Sequence, residues 1–181
     1  MTDKNGMTDR RTVLAGGAAL ASGAALAGQA GAQDDAEAAR KAIAESYLKA
    51  LDAGGTSPTT GLGLFDHFTD DAEVYFPKWG VARGKDQVVQ MFSDVGGTLK
   101  GITHHYDGFT WYMTGTDSFA VEGTSEGSHR DGTWTAGDPD WGAGRFCDCF
   151  TVRDGKIARL FIYLDPDYAG QDTDRYGWIE T

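Results

Sequence analysis

Apolar positions recur at helical spacing near the start of the chain and at alternating spacing through its second half. Across residues 34–53, Ile43, Tyr47 and Leu51 fall four apart with Leu48 beside them, which predicts one buried stripe on a helix. Gly54 and Gly55 end it. Residues 56–63 read as a polar loop, and Leu64, Phe65 and Phe68 as a short amphipathic helix stopped near Asp70 and Asp71. Residues 72–77 read as a strand and 78–84 as a loop carrying Trp79. A second helix spans 85–95 through Val88, Val89 and Phe92, closed by Gly96 and Gly97. From Ile102 the pattern changes. Segments 102–113, 118–128, 145–152 and 156–164 are rich in aromatic and β-branched residues and predict strands. Gly115-Thr116-Asp117 and a loop with Asp131-Gly132 separate the earlier ones, and Asp154-Gly155 is a tight hairpin signal. Pro166 ends the last strand, leaving a polar tail in which Tyr168, Tyr176 and Trp178 are packing anchors. Helices followed by a run of strands predict an α+β domain, its helices on one face of a curved antiparallel sheet. There is no internal repeat and no linker, and 181 residues suit one such domain.

Residues 1–32 read as a targeting segment. Arg10 and Arg11 precede a mildly apolar run, 15–27, too short to span a bilayer. Ala30-Gly31-Ala32 offers the small residues a signal peptidase needs. The segment resembles a twin-arginine leader, with Asp9 and Val13 where Ser and Phe are usual. That resemblance implies export to the periplasm or beyond, a mature domain at 33–181 with its tail from about residue 166, and no membrane span after processing. Met7, which like Met1 precedes Thr-Asp, is an alternative start.

The chain carries a formal charge of −11, and losing Asp3, Asp9, Lys4, Arg10 and Arg11 with the leader leaves −12. Such a surface repels phosphates, so neither nucleic acid nor an anionic membrane is an expected partner. Cys147 and Cys149 sit two apart on one strand face, a spacing that suits packed thiols better than a disulfide. No Cys/His cluster accompanies them, so no metal site is expected.

Three positions carry candidate chemistry. Tyr47 lies on the buried helical stripe. A phenol in a dry cavity stabilises a developing oxyanion, although a core tyrosine with its hydroxyl at the rim fits the pattern too. Asp148 shares strand parity with Phe146 and Phe150 inside RFCDCFTV. If those rings face inward, burial favours its protonated form; if outward, it is solvated. His104 and His105 are adjacent, so only one of them can face a pocket. Glu122 and Glu126 share parity and offer a second acid or base, or simply a solvated face. Trp79, Trp111 and Trp134 either line a pocket or pack the core.

The order of the pieces ESYLKALDAGG, LFDHFTDDAEVYFP, ARGKDQVVQMF, THHYDGFTW and FTVRDGKIARLFIYLDPDY resembles the SnoaL-like branch of the nuclear transport factor 2-like superfamily, over residues 39–167. The resemblance implies a cone-shaped curved antiparallel sheet wrapped around N-terminal helices, enclosing a pocket for a small hydrophobic ligand. Tyr47 is similar to the helix tyrosine of ketosteroid isomerases that donates to an oxyanion, and Asp148 to their protonated aspartic acid. His105 is similar to a catalytic histidine of scytalone dehydratase, a base that passes its proton to a departing hydroxyl. Phe76, Trp79, Trp111, Phe146, Phe150, Leu160, Ile162 and Leu164 would line the pocket. The chain departs from two relatives. Phe76 stands near the position of the isomerase's general-base aspartate, and Ile162 near that of an aspartate of limonene-epoxide hydrolase. On the last strand, Leu160, Ile162 and Leu164 would face the pocket, and Arg159, Phe161, Tyr163 and Asp165 the other side. Phe161 and Tyr163 are too apolar to stand exposed, which implies a homodimer through the sheet.

The expected function is that of a lyase or isomerase acting on a small hydrophobic carbonyl compound. Tyr47 and Asp148 would hold the oxygen while His105 moves the proton. No metal or organic cofactor is expected, because a C–H beside a carbonyl needs only a base and an oxyanion site. The rivals are a non-catalytic periplasmic binding module for a small apolar ligand and a structural dimer with a vestigial pocket. They differ in whether polar groups converge on the pocket floor.

Overall fold

The computed structural model describes residues 18–130, 132–134 and 144–164. The paired arginines, Asp131 and the tail with Tyr168, Tyr176 and Trp178 lie outside the described residues. Residues Met1–Ala38 form one contact unit and Ala39–Thr181 another, and the fold and site described below belong to the second. No helix among the described residues is long and apolar enough to cross a membrane.

Helix α1 (Ala18–Asp52) starts before the predicted 34 and buries Tyr47 and Leu48 of the predicted stripe together with Ala44 and Ala50, while Ile43 and Leu51 are half-buried. Gly54 and Gly55 take positive φ just after it, a conformation that ends helices and that a side chain resists. A 3₁₀ turn (Leu64–His67) leads into β1 (Phe68–Phe76), which starts four residues earlier than its pattern predicts because Phe68 pairs with Ile157. The predicted loop 78–84 contains a short strand, β2 (Gly80–Arg83), paired with β1. Helix α2 (Lys85–Thr98) continues through Gly96 and Gly97, because burial of Val95 and a capping bond from the Leu99 N–H to the Val95 carbonyl outweigh their low propensity.

The single strand expected at 102–113 is two: β3 (Leu99–His104) and β4 (Thr110–Met113), offset by a 3₁₀ turn (Tyr106–Gly108). Both pair with β5 (Ser118–His129), β3 near Glu126 and β4 near Glu122, so the turn carries the chain from one stretch of that long strand to the next. Then follow β6 (Gly132–Trp134), β7 (Arg145–Arg153) and β8 (Lys156–Leu164). Asp154 and Gly155 both have positive φ, as a two-residue hairpin loop requires.

The fold is α+β, as the pattern predicts. The sheet is open and runs β2-β1-β8-β7-β5-β3, with β4 and β6 also on β5. It is mixed rather than wholly antiparallel, since β1 lies parallel to β8. That pairing joins segments some 85 residues apart across α2 and most of the strands, and no local signal encodes it. The inner face is apolar: Val121, Phe146, Phe150, Leu160 and Ile162 are buried, and Phe119 stacks on Phe150 at 5.0 Å. The outer face carries Tyr75 5.7 Å from Phe161 and 5.8 Å from Tyr163, with the Arg159 guanidinium over Phe161. Cys147 and Cys149 are free, half-buried thiols on that face. Burial, then Cys149, pushes the Cys147 thiol up to about 11.

Candidate functional site

The site begins in the last turn of α1. Asp52 stands at a helix C-terminus, where the backbone dipole disfavours an acid, so its place there needs compensation. It accepts three hydrogen bonds: from the His104 backbone N–H at 3.1 Å, from His104 Nδ1 at 2.6 Å, and from the Tyr106 hydroxyl at 2.8 Å. Burial pushes the Asp52 carboxyl up, but these bonds and the His104 charge outweigh it and hold the group below its usual value. Burial and then Asp52 push the Tyr106 phenol up, so it remains a donor. With Nδ1 committed to the Asp52 carboxylate, Nε2 is the ring atom left to exchange a proton. That atom has no hydrogen-bond partner among the described residues. His104 packs edge-on against Phe146 at 5.1 Å and lines an inner cavity of ≈ 50 Å³.

Tyr47 and Asp148 line the same cavity from the other elements. Tyr47 is fully buried, and its ring is held by the edges of Phe68, Phe150, Phe92 and His67 at 5.5 to 6.4 Å. Its hydroxyl has no partner among the described residues. Burial, and secondarily Asp148, raises the phenol well above its ordinary value. Asp148 on β7 is 3% exposed, and its carboxyl makes no hydrogen bond among the described residues. Burial alone pushes it up to about 8, so near neutral pH it is mostly protonated and a donor. The unpaired buried Tyr47 hydroxyl carries a free-energy cost of about 1–3 kcal/mol. A ligand that accepts from it in this cavity would relieve that cost.

Several predicted lining residues take their places. Phe76, Phe146, Ile162 and Leu164 form the apolar wall with Leu48, Leu51 and Ile102. Ser125 adds a hydroxyl fixed by the Trp134 indole N–H at 3.3 Å. Gly144, also on the wall, has φ 80°, and a Cβ there would stand 2.4 Å from the Ser125 carbonyl, so only glycine fits.

Other predicted residues go elsewhere. His105 does not line the cavity. It is half-buried on the opposite side, with Nδ1 3.2 Å from Thr124 Oγ1 and Nε2 3.9 Å from Glu126. Register decides this: His104 pairs with Ser125, which shares the buried parity of Val121 and Gly123, and its neighbour must face away. Phe150 and Leu160 lie deeper in the core than the cavity wall, Phe150 against Tyr47 and Phe119. Trp79 packs edge-on behind Phe76 at 5.5 Å, and Trp111 packs on Phe109 and Phe119. Large rings are claimed by packing before they line small spaces. Glu122 and Glu126 are exposed, Glu122 accepting from the Tyr112 hydroxyl at 2.9 Å.

Asp52, Tyr106, Ser125 and the inward placement of His104 are features of the candidate site that the sequence pattern alone does not single out. Signals exist nonetheless. Ile102 and His104 share strand parity, so an inward Ile102 carries His104 with it, and an acid closing an apolar helical stripe is out of place unless it serves another group.

The SnoaL-like domain family model matches residues 44–160, more than half of the chain. Among curated proteins none matches. Solved structures share the fold at low identity. A nuclear transport factor 2-like protein from Anabaena variabilis is 19% identical, with 75% of this chain and 92% of that one covered at a TM-score of 0.56. A protein from Xanthomonas campestris proposed to be a polyketide cyclase is 14% identical, with 72% and 93% covered at 0.54. TerC, co-crystallised with polyporic acid, is 18% identical, with 70% and 92% covered at 0.53.

Proposed function

The chain belongs to the SnoaL-like domain family, and from that premise we propose that it is a lyase or isomerase, independent of any cofactor, acting on a hydrophobic carbonyl compound. The observation that carries the reading is the cavity shared by a buried acid with a carboxyl pushed up to about 8, an unpartnered tyrosine hydroxyl and a carboxylate-held histidine. His104 Nε2 takes the proton from the carbon beside the carbonyl. The C–H electron pair becomes the C=C bond of an enolate, whose oxygen accepts hydrogen bonds from Tyr47 and Asp148. Asp52 stabilises the imidazolium that results. The proton then returns to a different carbon, giving an isomer, or goes to a β-hydroxyl that leaves as water. Convergence of Tyr47, His104, Ser125 and Asp148 on one cavity supports turnover over a binding module, whose floor needs no base. The fold neighbour co-crystallised with polyporic acid supports a small organic ligand.

A phenolate mimics the enolate in charge and shape, so 4-nitrophenolate should bind with its oxygen in this cavity. Tyr47→Phe and Asp148→Asn should each weaken it about tenfold to a hundredfold, the worth of a hydrogen bond to a charged group. Tyr47→Phe should also leave stability unchanged or raise it, because it removes a hydroxyl with no partner. Spectroscopic titration measures the binding. Equal affinity for wild type and both variants would exclude the oxyanion pair.

We further propose export by the twin-arginine route, since Arg10 and Arg11 precede the apolar run. Changing both to Lys should retain precursor in the cytoplasm; normal export of that variant rules the route out. The outer aromatic band, with Tyr163 50% exposed, motivates a homodimer through the sheet. Tyr163→Glu should then lower the mass seen by light scattering to that of a monomer. A wild type already monomeric at micromolar concentration counts against the dimer.

A further inference from the structure

Next to the inner cavity, a groove of ≈ 780 Å³ runs between the end of α1, the turn before β1, the last turns of α2 and the start of β3. Its walls are mainly apolar, built from Leu64, Phe65, Phe92, Val95 and Leu99. Leu51 and Ile102 belong to both spaces, so the groove and the inner cavity meet at these two side chains. The inner cavity, at ≈ 50 Å³, has room for little more than the polar head of a ligand. Most of any larger molecule must therefore lie outside it, and the groove is the apolar space on the far side of a shared wall.

Resting on the reading above, we propose that the substrate is elongated: its carbonyl head sits among Tyr47, His104 and Asp148, and an unbranched apolar tail passes between Leu51 and Ile102 into the groove. Both gate residues are aliphatic and half-buried, and a change of side-chain rotamer is the motion the proposal requires of them. A fused ring system needs a wider gap than two rotamer changes provide. Asp52, the acid nearest the passage, turns its oxygens to His104 and Tyr106 and so presents no competing charge to the tail. Gly96 lines the groove on the α2 side, and an added Cβ there would meet nothing within 4 Å, so a side chain is tolerated at that wall. A covered apolar groove is the ordinary state of such a surface, and the wall of Leu51 and Ile102 that it shares with the site argues for the ligand as its occupant rather than a second protein.

The experiment is a titration of the full chain with 4-ethylphenol, 4-hexylphenol and 4-octylphenol, read by calorimetry. Each buried methylene tightens binding by up to about fourfold, so octyl should exceed ethyl by about a hundredfold or more. Gly96→Leu places a side chain in the groove at a helical position that tolerates it and improves helix propensity. It should remove about tenfold or more of the octyl affinity and leave 4-ethylphenol within about twofold. Its melting temperature, equal to or above wild type, shows that the fold is intact. A flat chain-length series, or Gly96→Leu weakening ethyl and octyl alike, overturns the proposal and hands the groove to a protein contact. Asp148→Asn separates the two readings. If it leaves every phenol unaffected while affinity still climbs with chain length, the groove assignment holds and the oxyanion reading fails.

Discussion

From pH 5 to pH 8.5 the folded protein should lose about 2–5 kcal/mol of stability, and Asp148→Asn should abolish most of that loss. Burial raises the Asp148 carboxyl to about 8 in the folded chain, against an ordinary carboxylate value near 4 when unfolded. Between those values the folded state binds the extra proton. Stability is therefore greatest below the unfolded value, falls as pH rises through the window, and levels off above about 8. Each tenfold difference in proton affinity between the folded and unfolded chain is worth about 1.4 kcal/mol, and relaxation around a buried charge lowers the full figure, hence the range given. Two other perturbed groups act outside the window. Asp52 is held below its usual value, so its contribution is present above the unfolded value and is lost as pH falls through the folded one. The Cys147 thiol, pushed up to about 11, costs stability only above the ordinary thiol range. Urea midpoints for wild type and Asp148→Asn at pH 5, 6.5 and 8.5 measure the slope. Parallel slopes would mean that Asp148 is already solvated and ionised, and the cavity would then lack its acid donor.

How much of this can be read from the chain differs by the range of the interaction. Strand periods locate β5, β7 and β8 almost to the residue, and helical periods locate the end of α1 and the start of α2, because each buries a face whose spacing is local; α1 begins at Ala18, well before the predicted 34. The β1–β8 pairing is not legible, since nothing near Phe68 or Ile157 names its partner. Within the site, Tyr47 and Asp148 are legible because each sits in register with apolar neighbours along its own element. Resemblance turns His105 inward and His104 outward, although the parity of Ile102 favours the reverse, and the register agrees with parity. Asp52 escapes a reading of the chain because its role exists only in three dimensions: the end of α1 meets the end of β3 more than fifty residues later. Trp79 and Trp111 show the opposite error, since the resemblance places both on the pocket wall and core packing claims them.

His104→Ala should slow proton removal from a hydrophobic ketone by about a hundredfold to ten-thousandfold, the usual worth of a positioned general base. The measurement is deuterium uptake at the α-carbon of 2-octanone in D₂O, followed by mass spectrometry. His105→Ala should leave the rate unchanged, because that ring lies on the other side of the strand beside Thr124 and Glu126. The pair of variants separates an inward base from a generic surface histidine. His104→Ala also strips Asp52 of its shortest hydrogen bond, so His104→Gln, which keeps a side-chain donor, controls for the fold. Asp52→Asn should fall between wild type and His104→Ala. It retains an oxygen that accepts from Nδ1 but removes the charge that stabilises the imidazolium, and the ring loses basicity. Tyr106→Phe should act in the same direction and less, since it deletes one of three bonds to Asp52. If His105→Ala slows exchange and His104→Ala does not, the outer histidine is the base and the cavity is not where the chemistry occurs. If the wild type exchanges no faster than buffer for this and longer ketones, proton transfer is not its work, and the non-catalytic binding module becomes the reading to pursue.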